Sequence, residues 1–291
     1  MSGRATRLAL ATVLSVTATG HALTAIAQSS AISDIDGVFD VGGHGLYLDC
    51  QGTGTPTIVY LHGAIGSRDE VPSPQANGGF AQRALSDDHR VCVYDRRNVG
   101  MSDDVDAPQL PEDAIADLHD LLAVAGVEPP YVLLGASFGG LLSYLYANTY
   151  PEDVVGMVLL DSMIPDELPL DTFFPPDERF EAFDAEDESE TAERISHFKV
   201  LSAAQPYIGQ EPAIPVTYLN SLSDGYGSSE IGIPEYDEQI VGLLEAYVER
   251  FAPGTLIHVD SPHFMEAAIP DQIVDTTHAP ARAGADAPRS A

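Results

Sequence analysis

Short runs of apolar and β-branched residues recur along the chain, separated by stretches whose apolar positions repeat at the spacing of one helix face. Thr57-Ile58-Val59-Tyr60-Leu61, Val91-Cys92-Val93-Tyr94-Asp95, Tyr131-Val132-Leu133-Leu134 and residues 154–160, 216–219 and 255–259 read as strands buried in a parallel sheet. Ahead of them, residues 39–43 and 45–49 read as an antiparallel hairpin running into the turn Gly52-Thr53-Gly54-Thr55-Pro56. A weak helix is expected near 80–85. A stronger one begins at Pro111, with Glu112 and Asp113 favouring its positive end; Ile115, Leu118, Leu121 and Leu122 form its apolar stripe and Gly126 stops it. Further helices follow residue 137 to about 150 and span about 235–251. Strands alternating with helices predict an α/β fold whose parallel sheet is linked by right-handed crossovers.

The rhythm breaks in two places. Residues 165–213 carry the acidic run Asp184-Ala185-Glu186-Asp187-Glu188-Ser189-Glu190, read as a solvated face, among scattered aromatic residues such as Phe173, Phe174, Phe180 and Phe198. Those rings give the segment something to bury, so it reads as an inserted cap and not as a linker. The core is therefore expected over 28–164 and 214–275, and the Ala- and Pro-rich stretch 276–291 reads as a disordered tail. Residues 1–27 read as a secretory signal: Arg4 and Arg7 precede the apolar run 8–16, and Ala25-Ile26-Ala27 offers a cleavage site. That places the mature protein outside the cytoplasm, secreted or in the cell envelope. No stable membrane insertion is expected of it, since no other stretch approaches a spanning length.

With 291 residues and 44% hydrophobic content, the chain can bury a sizeable core. Thirteen Lys and Arg stand against 45 Asp and Glu, a formal charge of −32, and Lys199 is the sole lysine. A nucleic acid or an anionic membrane requires stripes of cations, so neither is expected as a partner. The acidic excess likewise disfavours anionic substrates.

Candidate chemistry centres on Gly135-Ala136-Ser137-Phe138-Gly139, between a strand and a helix. A serine at so tight a turn has its hydroxyl thrust out of the sheet, and small flanking residues let the two backbones nearly touch. A hydroxyl needs a base, and the base needs a carboxylate to hold its tautomer. Among nine histidines, His258 falls inside the last strand, whereas His263 follows it in the loop Asp260-Ser261-Pro262-His263-Phe264 and is the expected base. For the acid, Asp224, in the roomy Ser-Leu-Ser-Asp-Gly loop after 216–219, is preferred over Asp161, which ends the strand 154–160. Either satisfies the order serine, acid, histidine. Negative charge developing on a carbonyl oxygen needs two backbone donors, expected from the amides of Phe138 and of Ala64 after His62-Gly63. His62 itself reads as a structural hydrogen-bonder, and Arg96 and Arg97 as ties to neighbouring carboxylates. No zinc-ligand spacing or phosphate-cradling loop is present, so no cofactor is implied.

His62-Gly63, Asp95-Arg96-Arg97-Asn98-Val99-Gly100-Met101-Ser102, Gly135 to Gly139 and Ser261-Pro262-His263-Phe264, taken in that order, resemble the marks of the α/β-hydrolase superfamily over residues 40–275. Serine at 137 is similar to the esterase and lipase branch, where dehalogenases and epoxide hydrolases carry aspartate. The resemblance implies an eight-stranded, mostly parallel sheet with helices on both faces, an antiparallel first hairpin and a small cap after the sixth strand. It also implies that the strands bearing Cys50 and Cys92 are neighbours, leaving open a disulfide or two buried thiols. The loop after His62-Gly63 has neither the further glycines of Gly-rich lipases nor the Gly-Pro-Gly of proline iminopeptidases. A general carboxylic-ester hydrolase acting on a neutral, moderately apolar small molecule is the expected activity. Its rivals are amide, peptide or carbon–carbon cleavage, cofactor-free peroxide chemistry, and small-ligand binding without turnover.

Overall fold

The computed structural model describes residues 34–64, 79–173, 179, 193–223 and 234–285. The expected signal over 1–27, the acidic run 184–190 and Asp224 lie outside them. Eight strands form one sheet: β1 Ile35–Asp40, β2 Gly45–Gln51, β3 Thr57–Leu61, β4 Val91–Tyr94, β5 Tyr131–Ala136, β6 Val154–Leu160, β7 Val216–Ser221 and β8 Gly254–Val259. Their spatial order is β1-β2-β4-β3-β5-β6-β7-β8. The pairs β1/β2 and β2/β4 are antiparallel and the others parallel. The helices are α1 Gly79–Leu85, α2 Pro111–Val124, α3 Phe138–Thr149, α4 His197–Ala204, α5 Pro234–Glu249, α6 Met265–Ala268 and α7 Pro270–Ala285. Among these described helices, none is long and apolar enough to cross a membrane.

The two-residue period of the strands sorts their side chains onto two faces. Leu133 and Leu159 join one cluster, with Ile115 and Leu118 of α2, Leu141 and Leu142 of α3, and Ile240 and Leu244 of α5. Their neighbours Val132, Leu134, Val158 and Leu160 point the other way, toward Phe80 and Leu85 of α1 and Ile273 and Ala281 of α7. Helices thus cover both faces, which is why the central strands are apolar throughout instead of alternating. Residues between β6 and β7 include a 3-10 helix, Pro165–Phe173, and α4, so the interruption of the rhythm falls after the sixth strand.

Two boundaries differ from the sequence reading. The first strand runs over Ile35–Asp40, not 39–43, because Gly42 and Gly43 take φ of 107° and 111° and turn the chain. The Asp40 carboxylate caps that turn by accepting both of their amides, at 2.9 and 2.7 Å. At the other end, residues 276–285 continue α7 instead of starting a tail. Ile273, Thr277 and Ala281 recur every fourth residue and are fully buried, so an alanine-rich composition conceals a packed helix face. Cys50 and Cys92 stand opposite each other on β2 and β4 and are joined in a disulfide.

Candidate active site

Ser137 stands between β5 and α3 with φ 50° and ψ −123°. A non-glycine residue held there costs of order 1–3 kcal/mol, so the surroundings must enforce it. The Ser137 amide donates to the Leu160 carbonyl at 2.9 Å, and its carbonyl accepts from Gly140 at 3.0 Å. Close approach does the rest. A Cβ at Gly139 would lie 2.5 Å from the His62 carbonyl oxygen, and one at Gly135 would lie 2.7 Å from the Cα of Gly140. Strand, serine turn and helix therefore touch through main-chain atoms, as the small residues around Ser137 require.

The loop leaving β3 passes directly beside the serine. A Cβ on Gly63 would meet the Ser137 Cβ at 3.3 Å and its Oγ at 3.9 Å. Ala64 follows and is exposed. His62 is buried, with Nδ1 2.7 Å from the Gly63 oxygen and 2.9 Å from Arg96 Nη2. Burial, aided by the Arg96 charge, pulls its pKa down to about 4, so the imidazole stays neutral.

On the other side of Ser137, β6 is followed by Asp161, whose φ is 41° and whose side chain is inaccessible to solvent. Its Oδ2 lies 2.6 Å from Nδ1 of His263, and its Oδ1 accepts the Ser221 amide at 3.0 Å. The Asp161 amide donates to Leu219, so the carboxylate is held by β7 as well as by its own strand. His263 follows β8, with the Ser221 hydroxyl bonded to the Ser261 carbonyl fastening its loop, and its side chain remains 21% exposed. An imidazole whose Nδ1–H faces a carboxylate presents Nε2 as the acceptor, the form a general base needs. His258 lies apart from this group, paired with Asn220 between β7 and β8.

Glu167, on the 3-10 helix after β6, is a residue that the sequence reading passes over. It is buried, with Oε1 accepting the Ile164 amide at 3.0 Å, and burial pushes its pKa up to about 8, assisted by the charges of Asp161 and Asp166. Only its position three residues after Ile164 in an inserted segment marked it, and that is no signal of burial. Asp95 is buried too and accepts the Met101 amide at 2.8 Å. A Cβ at Gly100 would collide with its carboxylate, which accounts for glycine in that loop. Arg97 pairs with Asp117 at 2.6 and 2.8 Å. Arg96 pairs with Glu193 at 2.6 and 2.8 Å, an acid of the inserted segment that no sequence pattern distinguishes from the other acids there.

The α/β hydrolase fold family model matches residues 56–224, more than half of the chain. The uncharacterized protein YqjL of Bacillus subtilis (strain 168) is 25% identical over 229 residues, spanning 76% of this chain and 85% of that protein. A bromoperoxidase from Bacillus anthracis superposes with a TM-score of 0.60 at 17% identity, covering 85% of this chain and 100% of that one. An esterase from Exiguobacterium antarcticum superposes with a TM-score of 0.55 at 17% identity, covering 82% of this chain and 96% of that one. At such identities the structural likeness speaks for the fold alone. With the family match, the strand order and the strained turn at Ser137 in agreement, the chain belongs to the α/β-hydrolase family.

Proposed function

We propose that this hydrolase cleaves a carboxylic ester through Ser137, His263 and Asp161. The observation that carries the reading is the 2.6 Å contact between Asp161 and His263 beyond the C-terminal ends of β6 and β8, the same end of the parallel strands at which Ser137 follows β5. Asp161 takes the role for which the sequence favoured Asp224. His263 Nε2 removes the Ser137 proton as Oγ bonds to the ester carbonyl carbon, and the amides of Ala64 and Phe138 hold the oxyanion. Collapse of the tetrahedral species breaks the bond to the alcohol, which leaves with the proton from His263. Water then attacks the acyl-enzyme, giving its proton to His263, and the carboxylic acid departs as the proton returns to Ser137.

The charge of −32 supports a neutral, moderately apolar acyl ester over an anionic one. The Cys50–Cys92 disulfide and the leader-like first 27 residues support an exported protein. Labelling by a fluorophosphonate together with turnover of a graded ester panel tests the reading. The wild type is expected to do both and Ser137→Ala neither; a wild type that remains unlabelled and inert rules it out.

A further inference from the structure

Arg96 is almost fully buried, yet only part of its hydrogen-bonding capacity goes to Glu193. Its Nη1 donates to the His62 carbonyl at 2.8 Å and its Nη2 to the Gly63 carbonyl at 2.7 Å. The second contact has a geometric consequence. The carbonyl of Gly63 and the N–H of Ala64 belong to one planar trans peptide and point in opposite directions. A guanidinium that anchors that oxygen therefore sets the direction of the Ala64 N–H. The same guanidinium carbon lies 5.6 Å from the centre of the Phe138 ring, the residue that supplies the other oxyanion donor.

Glu193 aligns the guanidinium in turn. Its carboxylate meets Nε and Nη2 side by side, the paired geometry that constrains a guanidinium plane as well as its position. The carboxylate is carried by the segment inserted between β6 and β7. That segment is held in place by a parallel bridge between Gln109 and buried Ile195, in which the Gln109 amide donates to the Arg194 carbonyl at 2.8 Å.

We infer that Arg96 and Glu193 are positioning residues for the oxyanion donor, through which the inserted segment aims the Ala64 amide; the inference rests on the acyl-transfer reading above. Because the donor matters most when the oxyanion forms, its misdirection acts on kcat and leaves KM unchanged.

Stability and positioning separate in a set of variants. Arg96→Met or Glu193→Gln alone strands a buried charge or acceptor and is expected to lower both thermal midpoint and turnover. Arg96→Met combined with Glu193→Leu replaces the ion pair by apolar bulk, a change that is often neutral for stability. The combined variant is expected to recover the part of the midpoint that an unpaired charge costs, short of wild type because the His62 and Gly63 carbonyls lose their donor. Assayed where it is fully folded, its kcat is expected to stay about 10- to 100-fold below wild type, since removing an oxyanion donor outright costs ~10²–10³. Affinity for a trifluoromethyl ketone is expected to fall by the same factor. Arg96→Lys, which keeps the charge but lacks the fork needed to serve both carbonyls, is expected to lose less midpoint than Arg96→Met and, assayed where it is fully folded, to lose turnover; it decides the matter if the combined variant does not fold. Wild-type kcat in a folded combined variant, or in Arg96→Lys, overturns the inference while leaving ester hydrolysis intact. A wild type inert toward esters and fluorophosphonate overturns the reading beneath it.

Discussion

Asp161 and His263 are 102 residues apart in the chain and 2.6 Å apart in space. The contact joins the ends of β6 and β8 across β7, whose Ser221 amide donates to the second oxygen of the same carboxylate. Neither oxygen of Asp161 is left without a bond, which is how a fully buried carboxylate can be tolerated at the end of an interior strand.

Exchanging that carboxylate for an amide is expected to cost turnover steeply. Asp161→Asn should lower kcat by about 10³–10⁴, because the amide favours the wrong tautomer of the base. Asp224→Asn should change it little. Steady-state hydrolysis of one short-chain ester by both variants makes the comparison, and a larger loss in Asp224→Asn would reassign the acid.

The turn at Ser137 should be intolerant of even one added methyl group. Gly139→Ala brings a Cβ onto the carbonyl oxygens of Leu61 and His62, main-chain atoms that cannot step aside singly. Overpacking of this kind costs about 1–3 kcal/mol, and relief requires β3 to move away from the serine. Urea unfolding should show the loss, with turnover falling further than the small drop in folded fraction explains.

Glu167 makes stability depend on pH in a definite direction. Its folded pKa of about 8 stands above the ordinary 4.5, so the native state retains a proton that the unfolded chain releases. The favourable contribution is complete below the ordinary value and is lost as pH rises toward 8. Glu167→Gln, which stays neutral throughout, should therefore match or fall below wild type at pH 5 and gain on it by pH 9. Thermal midpoints across that range check the sign; a difference that is flat or widens the other way refutes it.

The link between β2 and β4 closes a loop across a sequence separation of 42 residues. Converting both Cys50 and Cys92 to serine should cost about 2–5 kcal/mol. Thiol titration should detect no free cysteine in the unreduced protein, and urea unfolding with and without reductant should reproduce the shift of the double variant.

Sequence alone carried the β-strand and helix succession, because period two in strands and the three-and-four spacing in helices are local consequences of backbone geometry. It also identified the turn at Ser137, and it favoured His263 over His258 as the base proposed above, since a side chain inside a strand and one in the loop beyond it differ in what they can reach. The second half of helix α7, from residue 276, was hidden for the opposite reason: Ile273, Thr277 and Ala281 are small or spaced among polar residues, and only the sheet face they cover shows that they are buried. The carboxylate proposed for the triad depended on tertiary structure in the same way. Asp161 and Asp224 obey the same order along the chain, and local residues favoured the roomier loop; which carboxylate meets an imidazole depends on how β6, β7 and β8 lie side by side. Arg96 was legible as a tie to a carboxylate, but its partner Glu193 was beyond any local pattern, because the worth of a buried charge is set by partners that arrive from elsewhere in the chain.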